Sequence, residues 1–128
     1  MRLLLDTHAF IWWDEDDSRL SDKARRALAD PKNSVHLSLA SVWEMQIKLK
    51  LGKLTLQASL SELLTDREAR NGLMIEQITR EDIFALERLP PLHRDPFDRM
   101  IVAQAVRGQF EVVTHDDEVG SYGVKVFW

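Results

Sequence analysis

The stretch MRLLLDTHAFIWW, residues 1–13, sets the reading of the whole chain. An apolar run, Arg2 to Leu5, stops abruptly at Asp6, and apolar residues resume from Ala9 to Trp13. A short continuous apolar run bounded by a polar turn is the pattern of a buried strand, so this opening predicts strand, acidic turn and short helix. The same unit recurs downstream. Strands are predicted at Val35 to Leu39, Leu73 to Ile78, Val112-Val113 and Val124 to Trp128. Helices are predicted from Ser21 to Leu28, Ser41 to Leu51, Ser59 to Asn71, Thr79 to Leu89 and Phe97 to Arg107. Their ends carry capping signals: Ser21 at a start, Asp30-Pro31 and Gly72 at ends, and Asp82 three residues after Thr79. Pro90, Pro91 and Pro96 make a stiff non-helical connection.

Strands that alternate with helices imply a mostly parallel sheet covered on both faces, because the crossovers are right-handed and pack against the sheet. The expected fold is therefore α/β, a three-layer α/β/α sandwich. Its 128 residues suit one domain, and no repeat, low-complexity tract or linker divides them. In such sheets chemistry gathers beyond the carboxyl ends of the strands, which is where Asp6 and Asp116 fall.

Composition narrows the chemistry. The chain has no cysteine, so disulfides and thiolate metal sites are excluded and a reducing compartment is favoured. The opening apolar run is too short for a signal peptide and no stretch approaches a membrane span, so a soluble, cytoplasmic protein is expected. The net charge of −4 argues against coating nucleic acid through bulk charge. An enzyme that gathers carboxylates around divalent ions is acidic for a different reason, since the ions restore positive charge where a phosphate must sit.

Four acids are placed to converge: Asp6 after the first strand, Glu44 on the helix after the second, Asp98 at the start of the helix after the proline loop, and Asp116 after Val112-Val113. Clustered carboxylates repel unless a proton or cation compensates. An all-oxygen set suits Mg²⁺ or Mn²⁺, whereas catalytic zinc usually takes a histidine. Such ions support in-line displacement at a phosphodiester. Each acid also has a plainer reading. Ser41-x-x-Glu44 fits a capping box, Asp98 suits any helix N-terminus, and Asp6 and Asp116 are ordinary turn residues. His8 and His93 read better as hydrogen-bonding or packing residues than as ligands. Arg94 and Arg99 flank Asp98 and suit either RNA phosphates or a local acid such as Asp95. Trp12, Trp13 and Trp43 suit base stacking or, preferably, an interface.

Five ordered blocks carry a resemblance: Leu3-Leu4-Leu5-Asp6-Thr7-His8, Ser41-Val42-Trp43-Glu44, Leu51-Gly52-Lys53-Leu54, the segment from His93 to Ala105, and Thr114-His115-Asp116. Together they resemble the motifs of VapC-like PIN-domain toxins across nearly the whole chain, and DPFDRMIVAQA (95–105) is the most specific block. The resemblance implies a Mg²⁺- or Mn²⁺-dependent endoribonuclease acting on RNA, often tRNA or rRNA. It also implies silencing by a cognate VapB-like antitoxin and a homodimer. By position it makes Asp6, Glu44, Asp98 and Asp116 the acidic quartet, with Asp6 and Asp98 as leading metal ligands and Thr114 as a polar site neighbour. Asp95 and Asp117 stand beside the quartet as alternative carriers of the fourth carboxylate.

Other readings fit less. A haloacid-dehalogenase-like phosphatase resembles Asp-x-Asp at the first strand, and here the third residue is His8. A receiver domain needs an aspartate after its third strand, where this chain has Thr79-Arg80. A catalytically idle PIN fold that only binds a partner has no need of an intact quartet.

Overall fold

A computed structural model describes residues 1–92 and 95–128. The strands are β1 (Arg2–Leu5), β2 (Ser34–Ser38), β3 (Met74–Glu76), β4 (Glu111–Val113) and β5 (Val126–Phe127). The helices are α1 (Thr7–Asp14), α2 (Asp22–Ala29), α3 (Leu39–Lys50), α4 (Leu60–Asn71), α5 (Arg80–Arg88), α6 (Pro96–Gly108) and α7 (Asp117–Gly120). All the strands run parallel in one sheet of order β3-β2-β1-β4-β5. The expected α/β/α sandwich is the observed one.

Why β1 occupies the centre is visible in its side chains. Successive strand residues face opposite sides, so a strand covered on both sides must be apolar throughout. Leu3 and Leu5 enter one core with Phe10, Leu20, Leu28, Leu37, Met45 and Val113, while Leu4 enters the other with Ile101, Val102, Phe110, Val112 and Val119. All three leucines are fully buried. Each contributes roughly 1.5–3 kcal/mol of transfer free energy before conformational entropy is counted.

Element boundaries follow the caps. Ser21, Ser59 and Thr79 cap α2, α4 and α5, and Thr79 forms a reciprocal capping box with Asp82. Gly72 closes α4 at φ 66°, a left-handed conformation that favours glycine. Three expectations need correction. Helix α1 begins at Thr7, two residues early, because Asp6 caps it by accepting from Ala9 N. Helix α3 begins at Leu39 and is capped by Ser38, so Glu44 lies in its second turn and the capping box foreseen at Ser41-x-x-Glu44 does not form. Helix α7, capped by Asp116, was not expected, because four residues are too few to show a period.

Candidate active site at the carboxyl edge of the sheet

Strand β1 ends at Leu5 and β4 at Val113, and the Asp6 amide donates to the Val113 carbonyl at 3.1 Å, which continues the ladder one step beyond both strands. That step brings Asp6 beside Thr114. The Thr114 hydroxyl donates to Asp6 Oδ2 at 2.6 Å and accepts from the Asp116 amide at 3.0 Å. Asp6 Oδ1 accepts from the Ala9 amide at 2.8 Å. Asp6 is thus held through both oxygens, and one threonine ties it to Asp116. Burial pushes the Asp6 carboxyl above its ordinary range. The bonds from Thr114 and Ala9 N oppose that rise, His8 does so as a charge, and the nearby Asp116 charge adds to it.

Glu44 is 5% exposed and reaches the site through α1. Thr7, next to Asp6, donates its hydroxyl to Glu44 Oε1 at 2.6 Å, and Ser41 Oγ lies 3.0 Å from the same hydroxyl. Lys48 Nζ donates to Glu44 Oε2 at 2.8 Å. Beyond them a groove of about 350 Å³ separates α3 from the start of α6, lined by Glu44, Ile47, Lys48, Asp95, Pro96 and Phe97.

Asp95 caps α6, accepting from the amides of Phe97 and Asp98, and Pro96 follows at the first helical position, where its missing N–H costs nothing. Asp98 lies half-buried on the first turn of α6. The quartet is therefore arranged as a tight Asp6–Thr114–Asp116 unit, a Glu44 coupled to it by Thr7, and an Asp98 on the helix forming the far wall of the groove. Among the described residues no three of His, Asp and Glu close into a metal-holding group. The donor chemistry nonetheless fits a hard divalent cation, with oxygen donors throughout and an Asp6 carboxyl that burial pushes up despite the bonds from Thr114 and Ala9 N.

The remaining expected site residues fare differently. Arg94 and His93 lie outside the described residues. Arg99, expected at RNA phosphates or a local acid, lies against backbone carbonyls. Its guanidinium donates to the carbonyls of Pro90 and Leu86 at 2.9 Å and of Leu89 at 3.4 Å, and lies 3.3 Å from the Tyr122 hydroxyl, tying the end of α5 and the turn after α7 to α6. Trp12 and Trp13 are half-buried against the first core, with Trp12 on Trp128 and Trp13 on Phe10, whereas Trp43 is 61% exposed and meets Phe97 edge to face. Asp117 is the first residue of α7. Two residues were missed as site members. Thr7 had no signal beyond its adjacency to Asp6, but the four-residue spacing of Lys48 from Glu44 was legible as a helical ion pair.

The PIN domain family model matches residues 3–125. The chain belongs to the PIN-domain family. Among curated protein sequences none matches. Solved PIN-like structures do. VapBC2 from Rickettsia felis, bound to a DNA fragment from its promoter, aligns at a TM-score of 0.74 and 17% identity over 99% of this chain and 98% of that one. FitAcB from Neisseria gonorrhoeae aligns at 0.66 and 18% over 98% and 96%, and a toxin–antitoxin complex from Klebsiella pneumoniae at 0.57 and 20% over 93% and 90%. At these identities the likeness is one of fold, and the PIN fold is what it adds to the family assignment.

Proposed function

We propose that this PIN domain, taken as one unit over the whole chain, is the toxin of a toxin–antitoxin pair. Its activity is that of a Mg²⁺- or Mn²⁺-dependent endoribonuclease cutting tRNA or rRNA in the cytoplasm. The observation that carries the reading is the Asp6–Thr114–Asp116 unit at the carboxyl edge of the parallel sheet, with Glu44 joined to it through Thr7. Carboxylates drawn together, one of them buried and pushed towards its neutral form, are costly to the fold and make sense as a site for a cation.

Asp6, Asp98, Asp116 and Glu44 are the residues that would hold the ion. When bound, Mg²⁺ or Mn²⁺ supplies the positive charge that lets an acidic chain accept a phosphodiester. Thr114 fixes the direction of Asp6 Oδ2, Ala9 N fixes Oδ1, and Thr7 fixes Oε1 of Glu44. Preorganisation of this kind keeps the carboxylates in place before substrate arrives. Solved relatives include toxin–antitoxin complexes, which supports a VapB-like antitoxin as partner. Trp43 and Ile47 on α3 and Leu51 at its C-cap follow one another at four-residue spacing and are 61%, 36% and 61% exposed, an apolar stripe that supports a homodimer. No described helix is long and apolar enough to cross a membrane.

The test is cleavage of a total RNA pool by purified protein in Mg²⁺, Mn²⁺ or chelator, with Asp6→Asn and Asp98→Asn as controls for contaminating nuclease. Discrete, metal-dependent products that vanish in both variants are expected. A folded, metal-loaded protein that leaves every RNA intact would turn the reading towards a binding role.

A further inference from the structure

We propose that Lys48 is the phosphate-binding residue of the α3/α6 groove, and that it serves as counter-ion to Glu44 until a divalent cation takes over that task. The inference rests on the nuclease reading above and extends it to how the RNA backbone is held.

Three observations carry it. Glu44 is a buried carboxylate, 5% exposed, whose Oε2 takes the Lys48 ammonium at 2.8 Å. A buried carboxylate is stable only while compensated, so in the metal-free protein the ammonium occupies the place of a cation. Second, the Lys48 side chain is 34% exposed, against 7% for Glu44, so its head lies on the solvent side of the pair. Third, Lys48 and Glu44 line the same groove as Asp95, Pro96 and Phe97, and Glu44 is joined through Thr7 to the residue after Asp6. Because Glu44 is buried and the Lys48 head reaches solvent, one lysine both compensates the carboxylate and stays accessible from the groove.

The chain's charge makes the same point. An acidic protein needs local cations to hold a polyanion, and among the described residues Arg99, one of the two arginines flanking Asp98, donates to backbone carbonyls. Lys48 is mobile by chemistry, with a flexible stem and a point charge. Once a divalent cation neutralises the carboxylates, the ammonium is released towards a backbone phosphate lying in the groove.

Lys48→Met and Lys48→Arg test this without any cleavage step. Mn²⁺ binding to the RNA-free protein is followed by electron paramagnetic resonance of the free ion. Binding of a fluorescein-labelled single-stranded RNA 20-mer is followed by anisotropy in Ca²⁺ across a salt series. Removing the competing ammonium in Lys48→Met should tighten Mn²⁺ by about three- to tenfold. The same change should weaken the RNA and lower its logarithmic salt slope by about one. Lys48→Arg should restore both, which a loss of packing alone would not do, and thermal melting confirms that each variant is folded. Unchanged Mn²⁺ and RNA affinity in folded Lys48→Met would overturn the proposal and leave the nuclease reading standing. Wild-type protein that binds neither Mn²⁺ nor RNA would overturn both.

Discussion

Thr114 and Asp6 stand 108 positions apart in sequence, and the threonine hydroxyl donates to the aspartate at 2.6 Å. The same oxygen accepts from the Asp116 amide, so a single side chain links the carboxylate of one acid to the backbone of the other. Thr114→Val keeps the shape and removes both bonds. RNA cleavage should fall about 10- to 100-fold, the range found when partners behind metal ligands are lost. Stability should fall by about 1–3 kcal/mol, because a buried acceptor and an amide lose their partner. Thr114→Ser should recover most of both, with kcat/KM and urea denaturation as the readouts.

Asp6 gives a prediction of opposite sign for stability. Burial raises its native pKa above the unfolded value of 3.8. The native state therefore binds more protons, and stability falls as pH rises from 3.8 through the native pKa, so the full cost is present at neutral pH. Asn keeps the cap and removes the charge. Metal-free Asp6→Asn should melt higher than wild type at pH 7, by roughly 2–5 °C for an effect on the order of 1 kcal/mol, with the difference vanishing near the acid end. Mg²⁺ at a hundred times its Kd should then stabilise wild type by about 2.7 kcal/mol and leave Asp6→Asn unmoved. Calorimetric scans with and without Mg²⁺ decide both halves.

His36, buried on β2, titrates the other way. Burial lowers its pKa, partly offset by Glu76, and leaves a neutral ring that lies 2.8 Å from Glu76 Oε1 through Nδ1 and 3.0 Å from Ser34 Oγ through Nε2. With the ring neutral, Nδ1–H donates to the carboxylate and Nε2 accepts from the serine. The unfolded histidine takes up its proton near 6.5 while the native one does not, so stability is full above 6.5 and is lost as pH falls towards the native pKa. The slope is at most about 1.4 kcal/mol per pH unit. His36→Gln should flatten the dependence between pH 7.5 and 5.5 in urea titrations. An unchanged slope would place the titrating group elsewhere.

Asp82 is wholly buried, and burial alone would raise its pKa. The Arg107 guanidinium at 2.5 Å and the Thr79 backbone and hydroxyl hold it below the ordinary range instead. Arg107 also lies 3.6 Å from Glu76, so one cation serves two acids on the α5/α6 side. Arg107→Ala should cost about 2–3 kcal/mol by stranding the buried carboxylate, and Arg107→Lys should recover only part of it because the two-pronged contact is lost. Cleavage per folded molecule should not change in either variant, since this cluster lies away from the proposed site.

Much of the fold was legible because it rests on short-range rules. The Leu3-Leu4-Leu5 run predicts a strand covered on both faces, and Ser21, Ser59, Gly72 and the Thr79–Asp82 pair mark helix ends through bonds made within a few residues. Where two local signals competed, the sequence could not arbitrate. Ser38 and Ser41 both suit a cap, and the end of β2 selected Ser38, which moved Glu44 from a capping role into contact with Thr7. Arg99 shows the same limit, because a guanidinium beside an acid looks identical on paper whether it meets a phosphate or three carbonyls.

The sequence by itself determined the parallel α/β class, the acids that follow the strands and the absence of thiol chemistry, since periodicity, caps and composition are properties of neighbouring residues. Tertiary structure alone decided how those acids are held. Thr114 reaches Asp6 only because β1 and β4 are adjacent in the sheet, and Thr7 reaches Glu44 only because α1 packs on α3. Hydrogen bonds between side chains so distant in sequence are set by the packing of whole elements, and no local pattern encodes them.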